Sequence, residues 1–315
     1  MSENSVGLLL VDKPSGLTSH DVVNRVRRSL SMRRVGHAGT LDPDATGLLV
    51  LCLGEATRLL EYLATGGKVY EGEITFGTVT DTDDASGTVV AQGDASGVDA
   101  SQILASAKRL VGTYTQRVPR YSAVHVGGKR AYELARQGVI EDSDLPSREV
   151  TVARLDVLFV DHGDVVKARF RVWCSTGTYV RSLCRDWGEL TGVGAHMSQL
   201  RRVKSGAFDV KDAVDLDAFL ESDSPRQYVR PIEDAVVHLP ILRLDGNSLK
   251  RLCQGQTIDV DPRTAGLTPF RAEPYQVLDA DGKLYAIAEL SDHGPVSAVR
   301  PKKVLRNFDS TSGDE

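Results

Sequence analysis

No stretch of this 315-residue chain stays apolar for the roughly 18 residues that a membrane-spanning helix needs. The segment Met1 to Gly7 carries Glu3 and no basic residue ahead of a short apolar run, which does not read as a secretory signal. Cysteine is scarce: Cys52, Cys174, Cys184 and Cys253 lie far apart and form no C-x-x-C pair. That spacing speaks against a zinc site and for reduced, mostly buried thiols in a cytoplasmic protein. Neither G-x-x-x-x-G-K-[ST] nor a G-x-G-x-x-G after a strand occurs, and the G-x-S-x-G nucleophile elbow is missing. The expectation is no cofactor and no metal.

What is present reads as a soluble globular protein. The chain is 41% hydrophobic and 26% charged, and its length favours one large domain plus a smaller one. A formal charge of −5 argues against simple electrostatic attachment to nucleic acid, but the charge is unevenly placed. Arg25, Arg27, Arg28, Arg33 and Arg34 precede a glycine-rich loop. Further basic clusters stand at Arg117/Arg120, Lys129/Arg130/Arg136, Arg201/Arg202/Lys204 and Arg300/Lys302/Lys303/Arg306. Acidic residues gather elsewhere, notably in Asp81–Asp84. Each cluster alone is equally well a solvated face; together, beside every candidate site segment, they favour an anionic polymer as partner.

Leu8 to Val11 predicts a strand, and Ser19 an N-cap for a helix that buries Val22, Val23, Val26 and Leu30. The aliphatic run Leu48 to Leu53 suits a buried strand. Glu55 to Ala64 reads as a helix, Val69 to Phe76 as a strand, and Thr78 to Gly97 as loop or hairpin. Further helices are expected at Gln102–Val111, Lys129–Gln137 and Thr178–Leu190. Val150–Val160 and Val165–Cys174 form a strand pair, and Met197–Val203 returns as a strand. Strands in hairpins with irregularly placed helices indicate α+β with a mostly antiparallel mixed sheet and flanking helices. A boundary is expected in the polar stretch Ser222–Arg230. Beyond it, Tyr275–Leu278 and Leu284–Glu289 flank Asp281-Gly282, a hairpin signal in a small β-rich unit. The predicted division is 1–226, 227–308, and a disordered tail at 309–315.

The most informative segment is Gly36-His37-Ala38-Gly39-Thr40-Leu41-Asp42-Pro43-Asp44-Ala45-Thr46. Pro43 keeps Asp42 out of the helical region, so a carboxylate stands in an extended or turn-like loop between two apolar segments. Gly36, Gly39 and Gly47 let the chain bend and let another molecule come close. A carboxylate so placed needs an orienting cation, and an arginine can both pair with it and aim it. The best source is Ser175-Thr176-Gly177-Thr178-Tyr179-Val180-Arg181, where a strand ends, a glycine turns the chain and a helix begins. Taken alone, Tyr179 also fits a core position and Arg181 a surface charge, and Tyr70 could be strand packing. His37, between two flexible positions, reads as a ligand contact. Asp44 competes with Asp42, but in an extended Asp-Pro-Asp segment the two side chains do not converge.

At these residues the chain resembles the bacterial tRNA pseudouridine-55 synthases, the TruB family. The resemblance runs roughly over residues 7–210 in six ordered blocks. They include Val11-Asp12-Lys13-Pro14-Ser15-Gly16-Leu17-Thr18-Ser19, Val35 through Thr46 continuing to Leu53-Gly54-Glu55-Ala56-Thr57-Arg58, and Lys68-Val69-Tyr70. Pro119-Arg120-Tyr121-Ser122-Ala123, Ser175 through Arg181, and Gly194-Ala195-His196 with Leu200-Arg201-Arg202 complete the set. The resemblance implies the pseudouridine synthase fold, with the last part akin to a PUA-type RNA-binding domain. It implies a flipped uridine in the tRNA T-loop as substrate, extruded from its stack at a cost of a few kcal/mol.

By similarity, Asp42 is the nucleophile, and Arg181 forms the ion pair that positions it. Tyr70 stacks on the uracil and accepts a proton late in the reaction. Tyr179 and Leu200 line the base pocket, His37 enters the T-loop in place of displaced bases, and Lys13 supports the site. Attack at C1′, attack at the base and a glycal route all stay open. The Pro119–Gly138 region is similar to the family's mobile element over the T-arm. The acidic Asp81–Asp84 run departs from what an RNA surface favours. The partner implied is the tRNA T-arm stem-loop, with no membrane, no required protein partner and a monomeric state. The alternatives are a tRNA-binding or RNA-folding protein, and an isomerase of the same fold acting on another RNA.

Overall fold

The computed structural model describes residues 6–63, 65–260, 274–292 and 297–306. Strand β1 (Gly7–Lys13), helix α1 (Ser19–Ser29), β2 (Val35–His37) and β3 (Thr46–Leu53) come first, then a 3-10 segment (Gly54–Leu59) and the one-turn α2 (Leu60–Leu63). Next are β4 (Lys68–Phe76), the hairpin strands β5 (Thr78–Thr80) and β6 (Val89–Gln92), α3 (Ala100–Arg109) and β7 (Gly112–Arg117). A small lobe holds β8 (His125–Val126), β9 (Lys129–Arg130) and α4 (Ala131–Arg136). It is followed by β10 (Ser147–His162), β11 (Val166–Cys174), α5 (Val180–Thr191), β12 (Ala195–Ser205), β13 (Phe208–Asp209), β14 (Val214–Asp215) and α6 (Leu216–Glu221). The C-terminal part comprises β15 (Ile241–Arg243), α7 (Gly246–Cys253), β16 (Ile258–Val260), β17 (Tyr275–Leu278), β18 (Leu284–Asp292) and β19 (Ser297–Val304).

The fold is α+β. A ten-stranded sheet runs β14-β1-β3-β12-β4-β11-β10-β7, with β2 on β3 and β13 on β12. Its pairings are antiparallel except β1 with β14 and β3 with β12. At β1 and β3 both faces are covered. Leu9, Val11, Leu49, Leu51 and Leu53 meet α1 and α6, while Leu8, Leu10, Leu48 and Val50 meet Leu59, Tyr62 and Phe208. That double burial is why Leu48–Leu53 is apolar throughout. On β4 and β11 only one face is covered. Ile74, Phe76, Phe170 and Val172 pack under α3 and α5, and the open face carries the ion pairs Glu71–Arg171 and Glu73–Lys167.

Helix α5 is seated by Trp187, whose ring meets Phe76 and Phe170 edge-on at 5.9 and 5.8 Å and whose indole N–H donates to Ser106 Oγ at 3.0 Å. The second, five-stranded sheet runs β15-β17-β18-β19-β16, and the β17–β18 hairpin turns at Asp281-Gly282 as expected. Its Leu278, Leu284 and Ile287 share an apolar cluster with Leu8, Leu48 and Leu59, joined through Ile232, Ala235 and Val236. No helix among the described residues is long and apolar enough to cross a membrane. The tail expected at 309–315 lies outside the described residues.

Three local expectations are corrected. The N-cap of α1 is Thr18, not Ser19: Thr18 and Asp21 close a reciprocal capping box, which frees Ser19 to point inward. Glu55–Ala64 is not one helix, because Gly54–Leu59 winds as a 3-10 segment before the single turn of α2. Lys129–Gln137 begins as a strand, since Lys129 and Arg130 pair back onto Val126 and His125, and only Ala131–Arg136 is helical.

Candidate active site

Asp42 sits where the loop after β2 turns toward β3, and several unrelated segments hold that loop. The Ser19 hydroxyl accepts from Leu41 N at 2.9 Å and donates to Leu41 O at 3.1 Å. The Pro43 carbonyl accepts from Gly16 N at 3.0 Å and from Lys13 Nζ at 2.8 Å. Arg202, fully buried on β12, donates to Gly39 O, Thr40 O and Leu48 O at 3.0, 3.3 and 2.7 Å. At Gly47 (φ +98°) an added Cβ would stand 2.3 Å from Arg202 O, so only glycine lets the loop re-enter β3 against β12. The Gly39, Thr40 and Pro43 carbonyls are thus tied to basic side chains close to Asp42 in the chain.

The first turn of α5 delivers Arg181. Its Nε and Nη2 donate to Asp42 Oδ2 and Oδ1 at 3.0 and 3.1 Å, a two-pronged pair across 139 positions of sequence. Nη1 donates to Thr82 O at 3.1 Å, Nη2 also to Tyr121 O at 3.0 Å, and Asp84 Oδ2 lies 3.7 Å from Nε. The Arg181 side chain is 5% exposed and that of Asp42 38%. The guanidinium is therefore out of solvent while the carboxylate faces open space. One turn on, Arg185 pairs with Asp83 at 2.8 Å and donates to Arg117 O at 3.0 Å. Burial lifts the Asp83 carboxyl to about 6 even with Arg185 beside it. The acidic run 81–84 thus supplies counter-ions and turn acceptors to α5 and to its own loop: Asp81 accepts from Thr88 N, and Asp84 from Ser86 N.

Two cavities meet at the ion pair, and Asp42, Tyr121, Arg181 and Leu200 line both. The larger is about 280 Å³ and is also lined by Lys68, Tyr70, Arg148 and Tyr179. A water's share of liquid volume is about 30 Å³, so this space admits a flat heterocycle. Tyr179 is the N-cap of α5; its N–H donates to Gln116 Oε1 at 2.9 Å, and its ring lies under Arg148 at 5.3 Å. Tyr70 projects from β4, and burial raises its phenol pKa above the ordinary value, so it stays protonated at neutral pH.

Asp42, Arg181, Tyr70, Tyr179 and Leu200 are brought together, and two expected residues are not with them. His37 lies on β2, half-buried, outside the lining of both cavities. Burial lowers its pKa, with Arg202 and His20 adding to the shift, so the ring is neutral. Lys13 is fully buried and donates to Pro14 O, Leu17 O and Pro43 O at 2.9, 2.7 and 2.8 Å. It holds the turn that carries Asp42 without facing the cavity. Lys13→Met should lower stability by on the order of 3 kcal/mol, because buried carbonyls lose their donor. A urea midpoint equal to that of the parent would remove Lys13 from this role.

Ser19, Asp84, Gln116 and Arg202 carry no local signal of a role at the site. In sequence, Arg202 reads with Arg201 and Lys204 as part of a basic cluster for an anionic partner. It is instead interior, because alternation along β12 turns it toward the Asp42 loop, while Arg201 pairs with Asp12 at 2.6 Å. The four cysteines are free thiols, three of them buried. No group of three or more His, Cys, Asp or Glu that could hold a metal ion occurs among the described residues.

Comparison with known proteins sets this geometry in a family. Residues 27–180 match the profile described as "TruB family pseudouridylate synthase (N terminal domain)", and residues 181–237 that of the "tRNA pseudouridylate synthase B C-terminal domain". The tRNA pseudouridine synthase B of Syntrophobacter fumaroxidans is 42% identical over 286 residues, covering 89% of this chain and 92% of its own. That of Syntrophotalea carbinolica is 44% identical over 251 residues, 79% and 80% of the two chains. Among solved structures, a chain of a Cbf5-Nop10-Gar1 complex superposes with a TM-score of 0.74 at 27% identity, covering 96% of this chain and 86% of that one.

Proposed function

The chain belongs to the TruB family of pseudouridylate synthases, and from that premise we propose that it converts uridine 55 in the T-loop of tRNA to pseudouridine. The relatives named above are tRNA enzymes, which favours tRNA over another RNA or a purely RNA-folding role. One observation carries the chemistry: a carboxylate gripped at both oxygens by a buried guanidinium, with its open side on a cavity lined by three tyrosines and two leucines.

The reaction is an isomerisation. The bond from C1′ to N1 breaks, one from C1′ to C5 forms, C5 loses a proton and N1 gains one. No electrons or outside groups enter, so the side chains suffice and no cofactor is invoked. Asp42 is the nucleophile that permits the uracil to leave, turn and rejoin. Arg181 holds its carboxylate in line, and Tyr179 and Leu200 confine the rotating base. Tyr70 stacks on the base; being held neutral, it takes up the C5 proton only by passing its own to water. Lys13 acts through Pro43. His37, as a neutral ring near the loop, suits stacking in the space the flipped base leaves.

Residues 1–226 form the catalytic unit and 227–308 a PUA-like RNA-binding unit. The separate hydrogen bonding of the two sheets supports this division, and the shared cluster around Ile232 makes the joint firm. The lobe around α4 has its own small cluster of Ala131, Ile140 and Leu145, suiting an element that closes over RNA. The protein acts as a cytoplasmic monomer without a protein partner. Incubation with an unmodified T-arm stem-loop should yield pseudouridine at the T-loop uridine. Product mapped only at another position, or in another RNA, would overturn the assignment.

A further inference from the structure

We propose that Lys68 is a phosphate anchor, its ammonium group taking a non-bridging oxygen of the phosphodiester beside the flipped uridine. The inference deepens the function above and rests on it. Two lysines near Asp42 differ in their hydrogen bonding. Lys13 gives its donors to three carbonyls of its own chain. Lys68 has no hydrogen-bond acceptor among the described residues, although it lines the cavity with Asp42, Tyr70 and Tyr179. It lies two positions before Tyr70 on β4, so both side chains leave the same face of the strand.

The backbone makes room for this cation. At Gly39 (φ +99°) an added Cβ would stand 2.9 Å from Lys68 Nζ and 3.5 Å from Arg202 Nη1. Arg202 is fully buried, outside the cavity lining, and gives three of its N–H donors to Gly39 O, Thr40 O and Leu48 O, so Lys68 is the cation that faces the open space there. Burial, with Arg202 adding to it, lowers Lys68 to about 8, and the nearby Cys174 thiol, pushed up to about 11, supplies no negative charge at neutral pH. Across the cavity Arg148 covers Tyr179. The lining therefore sets Lys68, Arg148 and Arg181 against the single carboxylate Asp42. That imbalance calls for an anion, and the phosphodiester is the charged group of RNA; the uracil carbonyls are neutral.

The experiment measures Kd and KM for an unmodified T-arm stem-loop against salt concentration, for the parent, Lys68→Gln and Lys68→Arg. Lys68→Gln should weaken binding about tenfold, with KM more affected than kcat. It should also flatten the log–log salt slope by about 0.7, the value for one phosphate no longer neutralised on a single strand. Lys68→Arg should keep most of the affinity. A neutral methylphosphonate at a linkage flanking the target uridine should weaken the parent but add little to Lys68→Gln. This RNA arm needs no variant to fold in order to test the parent. Unchanged Kd and salt slope with reduced kcat, or equal losses in parent and Lys68→Gln on neutralising the linkage, would overturn the anchor. Product formation by the parent is the separate control: its absence overturns the function itself, whereas product with an unchanged slope overturns only Lys68.

Discussion

Asp42→Asn should abolish pseudouridine formation, with single-turnover rates down roughly 10⁴-fold or more, as for the loss of a covalent nucleophile. Asparagine keeps the shape but not the charge or the nucleophilic oxygen. It also turns one of the two acceptors facing Arg181 into a donor, so half of the pairing at 3.0 and 3.1 Å is lost. Affinity for a T-arm stem-loop should stay within several-fold of the parent, because the carboxylate is one small part of a surface that binds through phosphates. A filter-binding titration beside a single-turnover assay separates the two quantities. Full activity in the variant would take Asp42 out of the mechanism.

Replacing Arg181 should be damaging in two separable ways. In Arg181→Met, Asp42 and Asp84 face each other without a cation, and Thr82 O and Tyr121 O lose their donor. The guanidinium is 5% exposed, so water cannot readily replace it, and a stability loss of roughly 2–3 kcal/mol follows from leaving two carbonyls without their donor. Arg181→Lys restores the charge but not the fork, since one ammonium cannot hold both carboxylate oxygens and both carbonyls. Most of the stability should return, while turnover stays about 10²-fold low because the carboxylate is misaimed. Thermal melting alongside single-turnover rates tests this. Recovery of both quantities together in Arg181→Lys would mean that charge alone matters.

The fold is readable from sequence wherever a local pattern has one physical solution. Leu48–Leu53 reads as a buried strand and Asp281-Gly282 as a hairpin turn, and both are found so. The apolar spacing of Val22, Val23, Val26 and Leu30 fixes the buried side of α1, although its cap lies one residue earlier than the pattern suggests. Glu55–Ala64 misleads because helical and 3-10 turns share composition, and the choice between them rests on packing around Leu59 and Tyr62.

Unaided, the amino-acid order determined an extended, glycine-flanked carboxylate at position 42, a strand-to-helix turn presenting Arg181, and the strand carrying Tyr70. Those are consequences of backbone sterics and of side-chain period, both of which act between near neighbours. Tertiary structure alone decided that Arg202 supports the loop from inside and that Asp84 approaches Arg181. It also decided that the donors of Lys13 are occupied while those of Lys68 are not, and that His37 stays outside the cavity. Each of those depends on which strand lies beside which. The order β3-β12-β4-β11 brings together donors and acceptors a hundred or more positions apart, and no local pattern carries that information.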